Sequence, residues 1–326
     1  MIVIWRVTTA CNLSCGFCAY AKDLALARRS AEPEVVREFA RVLAEYRRAT
    51  DERVMVSWLG GEPLLWAPWR ALSAELKSLG LQVSATTNGS TLGSQSVRAL
   101  VIENLAELTV SVDGIGAVHD RLRSSPGGFD RLERDVRALV REKALAGGGP
   151  RVRVNTVLMA DNVEQFSALC ERLATWGIDE ISFNQLGGND RPEFHAAHRL
   201  HLADVERFGA ELPRVRESLA ARGIRLLGGD RYLERLRATA TGRSIRVADC
   251  LPVATNAGEQ TLFITEAGIV APCSFTTADY GVPLSELDSV AALRALPARV
   301  RTKRAAQRSR WCDDCPSTQL FDKFAA

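Results

Sequence analysis

Apolar positions in the first 186 residues follow two alternating rhythms. Short apolar or alternating runs predict strands at Ile2–Val7, Arg53–Trp58, Gln82–Thr87, Leu108–Val112, Val152–Leu158 and Glu180–Gln185. Between them, apolar residues three and four apart predict helices at Glu34–Arg48, Trp69–Leu79, Ser94–Ile102, Arg131–Leu145 and Val163–Trp176. Strand–helix alternation with short connections argues for parallel βαβ units, an α/β fold. Six such strands are too few for a closed eight-stranded barrel.

The rhythm breaks at Gly187-Gly188-Asn189-Asp190-Arg191-Pro192, which reads as a domain boundary. Helical stretches follow near Leu202–Arg222 and Asp230–Ala240, and from Cys250 the chain turns Gly-, Pro- and Thr-rich, with short strands such as Gln260–Thr265. The expected organisation is a barrel over 1–186, a helical connecting segment over 187–249 and a C-terminal domain over 250–326.

Composition adds mainly exclusions. The apolar fraction of 46% and charged fraction of 25% are those of an ordinary globular protein. A net charge of +3 is too small to argue for nucleic acid or a membrane surface, and no run has the length of a membrane span. Ile2–Val7 is too short for a signal peptide and carries Arg6. The expected setting is cytoplasmic, where eight cysteines read as metal ligands before disulfides.

Three of those cysteines change the picture. Cys11, Cys15 and Cys18 are spaced C-x3-C-x2-C directly after the first strand. Thiolates on one tight loop can hold three corners of a cubane iron–sulfur cluster, leaving the fourth iron without a protein ligand. A zinc site usually wants four ligands, and no fourth lies nearby in the chain. Further candidates fall at predicted strand ends, where parallel barrels gather their active residues. Gly60-Gly61-Glu62-Pro63 offers close backbone approach and a carboxylate suited to an ammonium group. Thr87-Asn88-Gly89 ends the third strand. Ser111 and Asp113 alternate on one face of the fourth.

Together, the cysteine spacing, Phe17 in the aromatic place before Cys18, the GGEP segment and the TNG segment resemble the radical S-adenosylmethionine (radical SAM) superfamily. The resemblance implies a partial (β/α)6 barrel and an open-iron [4Fe-4S] cluster that binds S-adenosylmethionine. It implies cofactor contacts from Phe17, Gly60, Gly61, Glu62, Ser111, Asp113 and Asn155. His119-Asp120-Arg121-Leu122-Arg123 is similar to the H-D-x-x-R stretch of members with extra clusters, which assigns Arg123 to the cofactor carboxylate.

A second set is Cys250, Cys273, Cys312 and Cys315, with Gly268 five residues before Cys273. Four thiolates saturate either zinc or a cluster, and spacing alone does not choose. The arrangement resembles the twitch domain of the SPASM/twitch subfamily, which implies one auxiliary [4Fe-4S] cluster. Eleven residues without cysteine follow Cys315, so a second auxiliary cluster is not expected. Cys170, at core spacing with Phe166 and Leu173, reads as a buried structural thiol. His195, His198 and His201 read as a polar segment near the barrel mouth. Asn184 and Gln185 are candidate substrate contacts.

The expected enzyme is a radical SAM oxidoreductase. It forms a 5′-deoxyadenosyl radical, takes a substrate hydrogen atom and passes an electron to the auxiliary cluster. The expected substrate is a polar small molecule such as an aminocyclitol or sugar, oxidised or epimerised in natural-product biosynthesis. The alternative is a maturase of a ribosomally made peptide, with the cluster loop starting at residue 11 leaving no room for a leading peptide-binding domain. A non-catalytic iron–sulfur or zinc scaffold is the third reading. A flavodoxin or ferredoxin is the expected electron donor.

Overall fold

The computed structural model describes residues 1–188, 190–246 and 260–321. Its strands are β1 (Ile2–Thr8), β2 (Met55–Gly60), β3 (Gln82–Thr87), β4 (Glu107–Ser111), β5 (Arg151–Leu158), β6 (Glu180–Gln185), β7 (Arg225–Leu226), β8 (Thr261–Ile264), β9 (Ile269–Ala271) and β10 (Val282–Pro283). Its helices are α1 (Pro33–Thr50), α2 (Trp69–Ser78), α3 (Gln95–Asn104), α4 (Ala117–Arg123), α5 (Gly128–Leu145), α6 (Phe166–Ala174), α7 (Pro192–His198), α8 (Leu202–Ala220), α9 (Asp230–Thr241), α10 (Thr277–Tyr280) and α11 (Val290–Ala306).

All ten strands form one sheet in the order β10-β9-β8-β1-β2-β3-β4-β5-β6-β7. From β1 to β7 every pairing is parallel, the curved open sheet of a partial barrel. The connecting segment therefore supplies more than helices. Short β7 extends the parallel wall beyond β6, with α8 packed against it and α9 against α8. Two residues are too short a run for apolar alternation to reveal. At the other edge β8 adds to β1 in parallel, then turns into the antiparallel β9 and β10.

Alternation along the strands sorts core from cavity. Val3, Trp5 and Val7 of β1, and Val56 and Trp58 of β2, are buried toward the helices. Trp5 meets Phe39 of α1 edge to face, and the Trp58 indole donates to Ser73 of α2. Phe183 of β6 is likewise buried among Phe166, Phe208 and Tyr232. The opposite residues line the barrel interior and are polar or half-buried, among them Arg6, Ser111, Asn155, Ser182 and Asn184. At the N-terminal ends of the strands, Glu180 gathers Arg151, Arg153 and Arg225, closing that end with charge. Chemistry is left to the other end.

Candidate active site

The loop after β1 places Cys11, Cys15 and Cys18 at the C-terminal ends of the strands. Cys18 N–H donates to the Cys15 carbonyl, and Lys22 N–H to that of Leu13, folding the loop back on itself. Burial and the neighbouring Cys18 raise the pKa of Cys11, and Cys18 and Cys11 add to that of Cys15. Burial is the larger cause and pushes Cys15 up to about 11, against the pull of the Arg123 guanidinium. Donors already aim at the sulfurs. Leu13 N–H lies 3.5 Å from Cys11 Sγ, Tyr20 N–H 3.3 Å from Cys18 Sγ, and the Asn88 amide 3.8 Å from Cys11 Sγ. Soft thiols with hydrogen-bond donors to sulfur and a cation alongside suit an iron–sulfur cluster. Among the described residues no three His, Cys, Asp or Glu side chains converge tightly enough for a single metal ion.

Gly60 and Gly61 serve the loop itself. A side chain on Gly60 would stand 2.3 Å from the Thr8 carbonyl oxygen, and one on Gly61 2.2 Å from that of Ala10. Only glycine lets β2 end flush against the backbone that carries Cys11. Glu62 is fully buried, and its carboxylate accepts from Leu64 N–H at 3.1 Å, Thr87 Oγ1 at 2.7 Å and Asn88 N–H at 2.7 Å. Burial pushes its pKa up to about 6, while those three donors hold it down. The sequence suggested an open carboxylate for an ammonium group. The structure spends it on tying the ends of β2 and β3 together. Asn88 completes the tie by donating to Asn12 at 2.9 Å.

Asp113 lies just past β4, and it too faces the protein. One carboxylate oxygen accepts from Arg123 Nε at 2.6 Å and the other from Val157 N–H at 2.8 Å. Ser111 does not share this environment, being half-buried on the barrel interior. Burial works against the Arg123 charge, but Asp113 and the thiols outweigh it and hold its pKa above the ordinary range. Its guanidinium lies 5.2 Å from the centre of the Phe17 ring. His119 accepts from Asp113 N–H, and burial together with Arg123 lowers its pKa to about 4, so the imidazole is neutral at neutral pH. Asp120 accepts from Gly127 and Phe129 N–H and anchors the start of α5.

Ser111, Asn155 and Ser182 stand in register across β4, β5 and β6, and Ser182 donates to Asn155 Oδ1 at 2.9 Å. Asn184 continues this face, its Oδ1 buried without a protein partner. Adjacent Gln185 must point the other way. It borders a small gap with His195, Arg199 and Leu236, outside the barrel interior. As candidates the two residues therefore separate.

Other contributors carried little sequence signal. Asn162 donates to the Asp113 and Val157 carbonyls and accepts from Met159 N–H, holding the turn after β5. Its place before a helix was a readable turn signal. Phe194 of α7 packs over the cysteine loop, 6.2 Å from Phe17, and blocks any side chain at Gly16. It stacks at 3.9 Å on His198, which bonds Asp161 at 2.5 Å. His195 lies against Gly188 and His201 begins α8, so the three histidines form no common site. Cys170 is fully buried in the core.

In the second cysteine set, Cys250 lies outside the described residues. The β8–β9 hairpin turns at Gly268, whose φ of +72° favours glycine, and delivers Cys273. Cys273 Sγ is 3.3 Å from Thr276 Oγ1, and Cys312 Sγ is 3.8 Å from the Tyr280 hydroxyl. Burial, then the neighbouring Cys273 and Cys312, raises the Cys315 pKa. Asp314 pairs with Arg235 of α9 and accepts from Ile245 N–H at 3.0 Å, pinning the Cys312–Cys315 turn to the barrel side. Arg6 of β1 joins the two thiol regions, bonding Glu266 of the hairpin and the Tyr20 hydroxyl of the first loop, each at 2.6 Å.

An open parallel barrel with a three-thiol loop at its mouth and a further thiol group beside it defines a metal-cluster enzyme class. Residues 5–141 match the Radical SAM superfamily. It is 27% identical to the Fe-coproporphyrin III synthase of Methanosarcina barkeri over 57% of this chain and 44% of that protein. It is 26% identical to the mycofactocin maturase MftC of Mycobacterium ulcerans over 84% of this chain and 68% of that one. The chain thus spans less than half the length of the first relative. The structure of Streptococcus suis SuiB bound to S-adenosylmethionine shares the fold, with a TM-score of 0.67 at 18% identity over 97% of this chain and 72% of that one. The aminocyclitol or sugar substrate expected from the sequence finds no support among these relatives, which include a synthase and a maturase. Among the described residues no helix is long and apolar enough to cross a membrane.

Proposed function

We propose that the chain is a radical SAM maturase of twitch type that modifies a peptide substrate. The observation that carries this is the likeness to MftC, which spans 84% of the chain and so reaches well beyond the barrel. The cluster, when bound, supplies the electron that splits S-adenosylmethionine and starts hydrogen-atom abstraction from the substrate. Cys11, Cys15 and Cys18 hold that [4Fe-4S] cluster, and Cys250, Cys273, Cys312 and Cys315 hold an auxiliary one. Arg123, steadied by Asp113, presents positive charge to the cofactor carboxylate. Ser111, Asn155 and Asn184 offer hydrogen bonds from the barrel wall to cofactor and substrate. Phe17 and Phe194 exclude water above them.

The domains follow the thiols: a barrel over 1–186, a connecting segment over 187–249 that adds to the wall, and a twitch domain over 250–326. A cytoplasmic setting and an external flavodoxin or ferredoxin donor belong to the same reading.

The test is anaerobic reconstitution, reduction and addition of S-adenosylmethionine, with 5′-deoxyadenosine as the readout. Wild type forms it and Cys15→Ala does not. No product from wild type, or product from the variant, sinks the proposal. Candidate precursor peptides are then assayed by mass for loss of hydrogen, the oxidative outcome that an auxiliary electron acceptor favours.

A further inference from the structure

Arg235 of α9 is 4% exposed, the most deeply buried arginine among the described residues. Helical spacing explains why. Tyr232 and Ala238, three residues away on either side, are fully buried on the same face. A cation drawn in with them needs partners. One Nη donates to the carboxylate of Asp314, the residue before Cys315. Asp314 also accepts from Ile245 N–H at 3.0 Å, and Cys315 N–H donates to the Ile245 carbonyl at 2.9 Å. The Phe321 ring centre lies 5.8 Å from the guanidinium carbon.

These contacts hold the guanidinium beside the second thiol group. Burial raises the Cys315 pKa most, and the Arg235 charge is among the causes that pull it down. The ion pair is screened unequally. The Asp314 side chain is 47% exposed and that of Arg235 5%, so water damps the anion while the cation stays dry. Nε is left over: it is buried and has no hydrogen-bond partner among the described residues. A buried donor without an acceptor is costly, more so on a charged group.

We propose that Arg235 is a positioning residue of the second thiol group, whose buried charge and unpartnered Nε–H stabilise the anionic cluster at Cys273, Cys312 and Cys315 and raise its reduction potential. This rests on the auxiliary-cluster reading above. Reduction adds one electron to the cluster, with no bond made or broken. The reduced form carries more negative charge and so gains more from a nearby dry cation. A hydrogen bond toward cluster sulfur acts in the same direction. A higher potential makes the cluster a readier acceptor for an electron given up by a substrate radical.

The test is a potentiometric titration of reconstituted Cys15→Ala protein, in which the second cluster is read alone by electron paramagnetic resonance. Adding Arg235→Gln lowers its midpoint by about 60 mV or more, tenfold in the one-electron equilibrium. Arg235→Lys keeps the charge and shifts that equilibrium less than about threefold. Asp314→Asn removes the paired anion and moves the midpoint upward. Opposite signs from the two halves of one ion pair separate charge from a disturbed turn. Loss of the cluster from Arg235→Gln but not from Arg235→Lys shows the same dependence on charge. An unmoved midpoint in Arg235→Gln, which gives Nε a water for its partner, overturns the proposal. So do shifts of one sign in Arg235→Gln and Asp314→Asn, or loss of the cluster from both Arg235 variants. Iron content tells this failure from that of the reading beneath it. Cys15→Ala protein with no iron and no resonance overturns the auxiliary cluster and the proposal with it. About four iron atoms with an unmoved midpoint overturn the proposal alone.

Discussion

Arg123 Nε donates to Asp113 Oδ2 at 2.6 Å, with Asp113 fully buried and Arg123 nearly so. This pair fixes the end of β4 to α4, and it sets a cation between the cysteine loop and the cofactor side of the barrel. Breaking one half leaves the other as an uncompensated buried charge. Arg123→Gln therefore costs about 3–5 kcal/mol, read as a fall in denaturant midpoint. Asp113→Asn costs a comparable amount. The two together cost less than their sum, and additivity within about 0.5 kcal/mol would show that the pair does not act as a unit.

Gly61 lies where a side chain would stand 2.2 Å from the Ala10 carbonyl oxygen, a backbone atom that cannot swing aside. Gly61→Ala pushes the loop carrying Cys11 away from β2. The cost is about 1–3 kcal/mol in stability, and iron bound per chain after reconstitution falls as well. Full iron content with wild-type stability would refute the close packing.

Glu62 predicts a pH dependence. Its folded pKa of about 6 lies above the ordinary carboxylate value of about 4.3, so the folded state holds a proton that the unfolded chain has released. Stability from this group is present below the lower value and is lost as pH rises through the upper one, by about 2 kcal/mol in all. Wild type compared with Glu62→Gln should lose that much relative stability between pH 4 and about pH 7. A difference that stays flat means the folded carboxyl titrates as in the unfolded chain, and one that runs the other way means it is held charged in the fold.

Metal content tests the thiol assignments together. Wild type should bind about eight iron atoms per chain, two cubane clusters' worth. Cys15→Ala and Cys315→Ala should each lose about four. Equal loss of all iron in both variants would mean that the two thiol groups do not hold separate clusters.

Much of this was legible in the linear chain. The three thiols of the first loop lie within eight residues of one another, and their spacing limits what they can hold before any fold is known. Parallel strands and helices declared themselves because burial on one or both sides imposes a period on each segment. The fate of the carboxylates was not legible. Glu62 and Asp113 looked like ligand-facing groups, but which way a carboxylate turns depends on donors from other strands: Thr87 and Asn88 for one, Arg123 and Val157 for the other.

The sequence by itself determined the thiol spacing, the alternation of elements and the glycines at the end of β2, because each is a local property of consecutive residues. Only the tertiary structure decided that Asn184 and not Gln185 faces the interior, that Phe194 covers the cysteine loop, and that Arg6 bridges to Glu266, 260 residues away. Those facts depend on strand register and on which surfaces meet. Register follows from the summed burial of the whole sheet, which no single segment encodes.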